Sequence, residues 1–503
     1  MTDSAAVERL LQEALEIYEN EPTMRTELEG YAQRLQEPLR VAVAGMVKAG
    51  KSTLLNAIIG EEIAPTGTGE CTRIITWYRY ATTPRITAYP VDGEPYLLPL
   101  TRVDGRLVFD LGSRSAAEVG RIVVEWPAEN LRRMTLIDTP GIASLSEGVS
   151  ELSTQFLTPQ DTASEADAVI YLMRHLHASD VMFLEAFRDT SAASAGTVNA
   201  LAILSRADEV GAGRIDSLIS AAKVADRYRA DPSLRALVLD VLPMAGLLAQ
   251  SSRTLRQSEY EAFVALSVLE RTQRERMLLS ADRFVTGCAA LNIPEDDGRR
   301  LLDRFGLFGV RLGAALVRGG AGSATALAHE LARRSGLDLL LALITRQFDA
   351  RSSTLRARTA LAGLETLVRT HPRAGSAALV PGIERIKANA HEIRELQLLS
   401  ALRSGQVPLP ASVMADAERL IGGSGVAGAE RLALAPDASR DDIRAASLAE
   451  LDRWRTFTEN PLLDRGALEA CHVVMRSCEE LVARSGASGR HAHPVVATTG
   501  GHA

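Results

Sequence analysis

The sequence predicts an α/β domain built on a mostly parallel, doubly wound sheet and joined to a long all-helical region. Three observations carry that prediction. Between residue 39 and about 250, short apolar segments alternate with helical patterns, the order expected when helices cover both faces of a parallel sheet. Beyond about 250, strand signals almost vanish while Ala, Leu and Arg, all compatible with helix, dominate. The third observation is a glycine-rich turn, Gly45-Met-Val-Lys-Ala-Gly-Lys-Ser52, set between an apolar strand and a helical pattern.

In chain order, Val7, Leu11, Ala14 and Tyr18 recur at helical spacing. Pro22 interrupts them, and Leu28, Tyr31 and Leu35 resume. Residues 1–38 therefore read as one or two amphipathic helices in need of a partner surface, closed by Pro38. Strands are expected near 39–44, 73–80, 134–138, 168–173, 198–204 and 237–243. A β-rich interval, about 83–126, contains Arg85-Ile-Thr-Ala-Tyr89 and Arg121-Ile-Val-Val-Glu-Trp126 and is expected to extend the sheet with antiparallel strands. Helices are expected over 257–284, 298–317, 322–335, 338–350, 352–369, 384–402, 411–421, 440–458 and 464–484. Ser439-x-x-Asp442 resembles a capping box, and Gly336 is placed to end the helix before it. The tail 485–503, rich in Gly, Ala and His, reads as disordered, with His491 and His493 as solvated residues rather than a metal site.

Composition narrows the function classes. A chain of 503 residues has room for about three domains, and 46% hydrophobic with 24% charged residues is globular. A net charge of -7 argues against nucleic acid as the main partner. Four cysteines (Cys71, Cys288, Cys471 and Cys478) do not make a disulfide framework; Cys471 and Cys478 read as small packing residues on one helix face. The first residues lack the basic and apolar regions of a secretory signal, and no window has 18 or more apolar residues. The expected location is cytoplasmic, or peripheral on a membrane.

The turn at 45–52 is a Walker A loop in a strand-to-helix setting. Gly45 and Gly50 let backbone N–H groups turn inward around phosphates, with Ala49 and Thr53 flanking, and the next helix starts with its positive dipole end at the anion. Lys51 is expected to reach the β- and γ-phosphates and Ser52 to hold Mg²⁺. Two of the chain's four lysines, Lys48 and Lys51, lie here. Further along, Leu136-Ile-Asp-Thr-Pro-Gly141 ends an apolar strand with an acid and a sharp turn. Asp138 is placed to meet Mg²⁺ through water and the Gly141 N–H to meet the γ-phosphate. Thr72, in Gly67-Thr-Gly-Glu-Cys-Thr-Arg73, is the choice for the switch threonine that completes the metal shell, with Thr68 and Thr66 as alternatives and an ordinary strand-start role as the bland one.

Base selection is expected from Ser205-Arg-Ala-Asp208 after an apolar strand. Asp208 has the spacing to accept both hydrogen bonds from the guanine N1 and N2 edge. Arg206 offers a flat guanidinium to the base where lysine is usual, and Ser205 supports the loops with a shorter arm than asparagine. Ala245, after the last strand, offers an N–H to guanine O6. All five elements occur in order, so GTP is favoured over ATP.

The chain resembles the bacterial dynamin-like proteins, in particular the isoniazid-inducible group of mycobacteria and relatives. The resemblance rests on Leu39-Arg-Val-Ala-Val-Ala-Gly45 with Lys48-Ala-Gly-Lys-Ser-Thr53, Cys71-Thr-Arg-Ile-Ile-Thr-Trp77 and Leu204-Ser-Arg-Ala-Asp-Glu-Val-Gly-Ala-Gly-Arg-Ile-Asp216. Met277-Leu-Leu-Ser-Ala-Asp-Arg-Phe284 and Arg304-Phe-Gly-Leu-Phe-Gly-Val-Arg311 extend it, so that it covers nearly all of 1–484. It implies GTP hydrolysis coupled to self-association through GTPase domains and to membrane binding, remodelling or fission at the cytoplasmic face. A second dynamin-like partner and a role in envelope stress or drug tolerance are implied with it. The implied architecture is a GTPase domain over 39–350, with core 39–250, helical insertion 251–335 and closing helix 336–350. The N-terminal helices and 351–484 would then form the stalk bundle; an all-stalk assignment for 251–484 is the alternative.

One departure matters. Dynamin-type loops carry Gln-Ser where this chain has Val47-Lys48, and valine cannot orient water. Lys48 is either an internal counter-charge for the transition state, in place of a monovalent cation, or a solvent-facing loop lysine. The alternative function is accordingly a weakly hydrolysing GTP-binding scaffold that regulates a partner dynamin-like protein. A soluble translation or repair GTPase is disfavoured by the acidic balance and the helical remainder. Membrane contact is sought in the loops His371–Ile383 and Ser404–Leu409, where buried inter-helix turns are the alternative.

Overall fold

The computed structural model describes residues 4–65, 73–103, 105–141, 156–158, 164–190, 199–211 and 213–486. Two compact units result, Asp3–Glu384 and the part from Arg385 onward. The division falls inside the helix Leu379–Asn389, whereas sequence patterning puts a boundary after residue 350.

The first unit is organised on a nine-stranded sheet. Its strands are β1 (Leu39–Gly45), β2 (Ile75–Tyr80), β3 (Arg85–Pro90), β4 (Tyr96–Leu98), β7 (Val119–Trp126), β8 (Met134–Asp138), β9 (Ala168–Met173), β10 (Ala200–Ser205) and β11 (Val241–Met244). A separate hairpin pairs β5 (Thr101–Val103) with β6 (Arg106–Val108). The order is β11-β10-β9-β1-β8-β2-β7-β3-β4. The block β11 to β8 is parallel, and its strands β9 and β10 are buried along their whole length. That burial on both faces explains their unbroken apolar sequences. From β8 outward the sheet turns mixed: β2 runs antiparallel to β8, and β3 and β4 add antiparallel edges. One strand of the β-rich interval departs from expectation, because β7 pairs parallel with β2 and antiparallel only with β3. The last expected strand shortens to Val241–Met244, since Pro232–Arg235 forms a helical turn capped by Asp231.

Helices α1 (Ser4–Ile17) and α2 (Pro22–Gln36) bury Leu11, Leu28 and Tyr18 against this unit. Arg34 of α2 pairs with the fully buried Asp167 at 2.9 Å, just before β9. A Cβ on Gly363 would come within 2.3 Å of the Tyr31 ring, so the helix Ser352–Thr370 takes α2 in close contact only because that position is glycine.

The insertion is more broken than its periodicity suggests. The single helix expected over 257–284 is three, Gln257–Ser267, Arg271–Met277 and Ala281–Cys288, the last of them started by the Ser280 hydroxyl, which accepts from the Arg283 N–H. The helix Glu295–Arg318 kinks at Gly306, where φ is 65°. Ala324–Ser335 is capped by Ser323 and ends on the left-handed Gly336, as its sequence predicts. The closing helix runs Leu337–Leu343 and then widens into a π-turn over Ile344–Phe348.

The second unit is helical, with His391–Arg403, Ala411–Leu420, Arg440–Thr458 and Arg465–Gly486 around Trp454, Leu399, Leu420 and Val474. Ser439 caps its helix through Asp442 as expected. Cys471 and Cys478 are fully buried on one helix, and burial pushes their thiols up to about 11 and about 12. Burial alone would raise Glu395, but His391 and Arg431 more than offset it and hold the carboxyl at about 2. In the candidate membrane loops Leu379, Ile383 and Leu409 are buried, while Val380 is 44% exposed. Among the described residues no helix is long and apolar enough to cross a membrane.

Candidate functional site

Three parallel strands end at one cleft. After β1 the chain turns at Gly45, where a Cβ would lie 2.2 Å from the Leu172 carbonyl oxygen of β9. Only glycine lets the loop pass that strand. Gly50, at φ 96°, turns the chain into α3 (Lys51–Ile59) from a left-handed conformation. Lys51 lies back across the loop, its Nζ donating to the carbonyls of Gly45 (3.2 Å) and Met46 (3.3 Å). Burial lowers its pKa and the nearby Asp138 opposes the drop.

Ser52 starts α3 facing the end of β8, and its hydroxyl donates to Asp138 Oδ2 at 2.8 Å. The Asp138 carboxyl is pushed up to about 6 by burial, against the opposing charge of Lys51 and the Ser52 hydrogen bond. Thr139 fixes that strand end by donating to the Val43 carbonyl of β1 at 3.0 Å. Gly141 lies so close to the loop that a Cβ there would come within 2.5 Å of Val47 Cγ2. Val47 itself is 44% exposed. Lys48 is exposed on a left-handed backbone, φ 61°, an arrangement uncommon outside glycine.

The other end of the cleft is the loop after β10. Arg206 is also left-handed, φ 54°. Its guanidinium donates to the Lys48 carbonyl (3.2 Å) and to Glu209 (2.7 Å), and Glu209 in turn takes Arg174 at 2.9 Å. Ser205 donates to the Met173 carbonyl at 3.2 Å, tying the loop to β9. Burial raises the pKa of Asp208. Between the two ends lies a cleft of about 170 Å³ lined by Ala49, Gly50, Thr53, Ser205, Arg206 and Asp208, with Leu54, Leu172, Ile203, Glu209, Met244, Gly246 and Leu247 completing the wall.

The dynamin family's sequence profile matches residues 41–190. The isoniazid-induced protein IniC of Mycobacterium tuberculosis is 41% identical over 489 residues, spanning 96% of this chain and 99% of that protein. The chain belongs to the dynamin family. The bacterial dynamin-like protein of Nostoc punctiforme is 27% identical over 150 residues, which is 28% of this chain and 21% of its own length. A solved bacterial dynamin pair aligns over 96% of this chain and 75% of that chain at 13% identity, with a TM-score of 0.33, too small an overlap to carry an argument.

In this dynamin-family chain Gly45, Lys51, Ser52, Asp138 and Gly141 lie together around the ends of β1 and β8. Thr72, and with it Thr68, Thr66 and Cys71, lies outside the described residues. On the other side of the cleft one expectation meets a competing contact. Ala245 is fully buried and its N–H donates to the Ser335 carbonyl at 3.0 Å, so it has no donor left for a base. Arg206 lines the cleft, with its guanidinium donating to Glu209 and to the Lys48 carbonyl. The residues that sequence reasoning missed are Gly246 and Leu247, the first two of the helix Gly246–Arg253, whose N–H groups have no intrahelical acceptor. Their signal was a glycine one step past the expected donor. Met244, Ile203 and Leu172 were missed because an apolar cleft wall and an apolar core look alike in sequence.

Mg²⁺ fits the donors present. Ser52 and Asp138 offer hard oxygen ligands side by side, and among the described residues no cluster of three or more His, Cys, Asp or Glu competes for a softer metal.

Proposed function

We propose that the cleft binds GTP with Mg²⁺ and that its hydrolysis is coupled to self-assembly and to peripheral binding of a membrane at the cytoplasmic face. The family makes the chain a GTP hydrolase in general; the coupling and the residue roles are our reading. The observation that carries it is a cleft whose wall runs from Ala49, Gly50 and Thr53, the chain neighbours of Lys51 and of the Ser52–Asp138 pair, to Arg206 and Asp208.

In this reading the loop N–H groups and Lys51 bind the β- and γ-phosphates, and Lys51 exchanges its two carbonyl acceptors for phosphate oxygens. Mg²⁺, when bound, supplies positive charge at the β- and γ-phosphates. Ser52 and Asp138 hold it, and Thr72 closes its shell. Asp208 accepts from the guanine N1 and N2 edge, while Gly246 or Leu247 takes the O6 role expected of Ala245. Lys48, beside the phosphates on a strained backbone, adds positive charge as the transition state forms. The helices α1, α2 and Ser352–Thr370, followed by the second unit, act as the lever that assembly moves. The relative named for isoniazid induction supports a role in envelope stress or drug tolerance; a second dynamin-like protein as partner is part of the proposal.

A second reading has its own observation. Val47, exposed and apolar at the loop position where relatives orient water, favours a scaffold that binds GTP and turns it over slowly. Single-turnover GTP hydrolysis with and without anionic liposomes, for the parent and Lys51→Ala, separates the readings. Lipid-stimulated turnover abolished in Lys51→Ala supports the motor, and tight binding with negligible turnover supports the scaffold. Turnover indifferent to lipid contradicts both membrane coupling and the scaffold.

A further inference from the structure

The helical insertion carries a cavity of its own. The helices Arg271–Met277 and Ala281–Cys288, with the turn Ala289–Leu291, border a groove of about 710 Å³ that shares no residue with the nucleotide cleft. Its floor is apolar. Met277 is 9% exposed and packs with Phe284 and Cys288 in the insertion's core, and Leu269 and Leu291 lie half-buried against that core. Gly287 lets the two helices close on each other, since a Cβ there would come within 2.9 Å of Met277 Cγ. The Met277 side chain thus meets bare backbone, and its flexible thioether adapts readily to the shape of a ligand.

The rim is charged. Arg276, in the last turn of the first helix, and Arg283, in the first turn of the second, both line the groove. Both are exposed, and among the described residues neither guanidinium has an ion pair or a hydrogen bond. Other surface arginines of the insertion are paired: Arg271 with Glu275 and Arg299 with Glu295, each at 2.8 Å. Asp282 is the acid on the wall, in the first turn of its helix, where the dipole favours a carboxylate. Two cations against one anion leave the lining net positive in a chain of net charge -7.

We propose that this groove binds a single-chain anionic amphiphile, an alkyl carboxylate of the fatty-acid class, at a site separate from the GTP cleft and independent of how that cleft is read. The alkyl chain lies on Leu269, Met277 and Leu291, and the carboxylate accepts from Arg276 and Arg283, whose planar forks match its geometry. The volume and the lining select this occupant. About 710 Å³ falls within the span of small-molecule pockets, roughly 300–1,000 Å³, which pair an apolar wall with a few placed polar groups. The apolar floor offers nothing to a bare phosphate or a sugar, and the unpaired arginines repel a cationic head. The site also uses sequence that the cleft leaves idle, because Met277, Asp282 and Arg283 belong to the phrase Met277-Leu-Leu-Ser-Ala-Asp-Arg-Phe284.

The test is calorimetric titration of the full chain with dodecanoate below its micelle concentration, beside octanoate and dodecyltrimethylammonium. Dodecanoate binds saturably at one site, and affinity falls about two- to fourfold for each methylene removed on the way to octanoate. The cationic analogue does not bind. Arg276→Gln and Arg283→Gln each weaken dodecanoate about five- to tenfold, the scale of a lost charged hydrogen bond. Ala290→Glu, at an exposed wall position, abolishes binding by placing a carboxylate in the groove. All three variants keep the parent Tm and the parent Kd for GTP within about twofold. No saturable uptake of dodecanoate, equal uptake of the cation, or unchanged affinity in the arginine variants overturns the proposal. Val268 and Leu279, 77% and 64% exposed on either side of Arg271–Met277, make a bilayer the rival occupant. Binding to phosphatidylglycerol vesicles without binding of dodecanoate assigns the face to a membrane, and a dimer lost in Ala290→Glu without such binding assigns it to a second copy. Either result overturns the proposal.

Discussion

The two ends of the cleft are held by different kinds of force. At the phosphate end the supporting contacts are short-range in the sheet. Gly45 passes the neighbouring strand, Ser52 and Asp138 meet across adjacent β1 and β8, and Thr139 bonds to β1. At the base end the Ser335 carbonyl accepts the Ala245 N–H, the Lys48 carbonyl accepts from Arg206, and the Gly213 carbonyl accepts from Arg311. The first end is held by neighbouring strands of the sheet, whereas two supports of the second come from helices beyond residue 250.

Breaking the phosphate end has the largest expected effect. Lys51→Ala lowers single-turnover GTP cleavage by at least about 100-fold, the scale of a lost donor to developing negative charge. At the base end, Asp208→Asn removes a charged acceptor and weakens GTP by roughly 10- to 100-fold, the worth of one or two such hydrogen bonds. Xanthosine triphosphate gains relative to GTP in that variant, because an amide donates where the carboxylate only accepted. A competition titration with the two nucleotides reads this directly.

Gly336→Ala sharpens the contrast. Gly336 sits at φ 91° and a Cβ there would come within 2.6 Å of the Pro243 carbonyl oxygen, next to the Ser335–Ala245 bond. The substitution costs about 1–3 kcal/mol of stability and weakens GTP more than inorganic pyrophosphate, which uses only the phosphate end. Thermal melts and paired titrations check both statements.

Asp138 ties the phosphate end to pH. Its carboxyl is raised to about 6, so the folded chain without ligand holds that proton more tightly than the unfolded chain does. This group's contribution to stability is therefore greatest below the ordinary aspartate range and is lost as pH rises through about 6. Mg²⁺ needs the carboxylate, so GTP binding in Mg²⁺ weakens as pH falls below about 6, and Asp138→Asn removes that dependence together with metal affinity. The smallest effect is at the loop centre. Lys48→Ala slows hydrolysis by a few-fold to about tenfold and introduces a dependence on K⁺ that the parent lacks. Parent-rate hydrolysis with no new K⁺ dependence removes Lys48 from the mechanism.

What was legible in the sequence follows the same division. Gly45, Gly50, Lys51, Ser52 and Asp138 were readable because loop, helix start and strand end are each encoded within a few residues. Asp208 was readable from its spacing after β10. The Ala245 expectation failed because the competitor for its N–H, Ser335, ends a helix that no local pattern links to β11. Within the fold, alternation identified the parallel strands, but it did not reveal that β7 joins β2 in parallel, which is fixed by packing across the sheet. The second break within 257–284 had a visible cause in Ser280, whose capping role competes with continuous apolar periodicity.

The central claim is a cleft that recognises guanine at one end and cleaves phosphate at the other. The most direct test is single-turnover hydrolysis of GTP and ATP by the full chain in Mg²⁺, beside Lys51→Ala and Asp208→Asn. The account predicts cleavage of GTP but not ATP, silence in Lys51→Ala, and loss of GTP preference in Asp208→Asn. Equal cleavage of ATP and GTP, or GTP cleavage that survives Lys51→Ala, would contradict it.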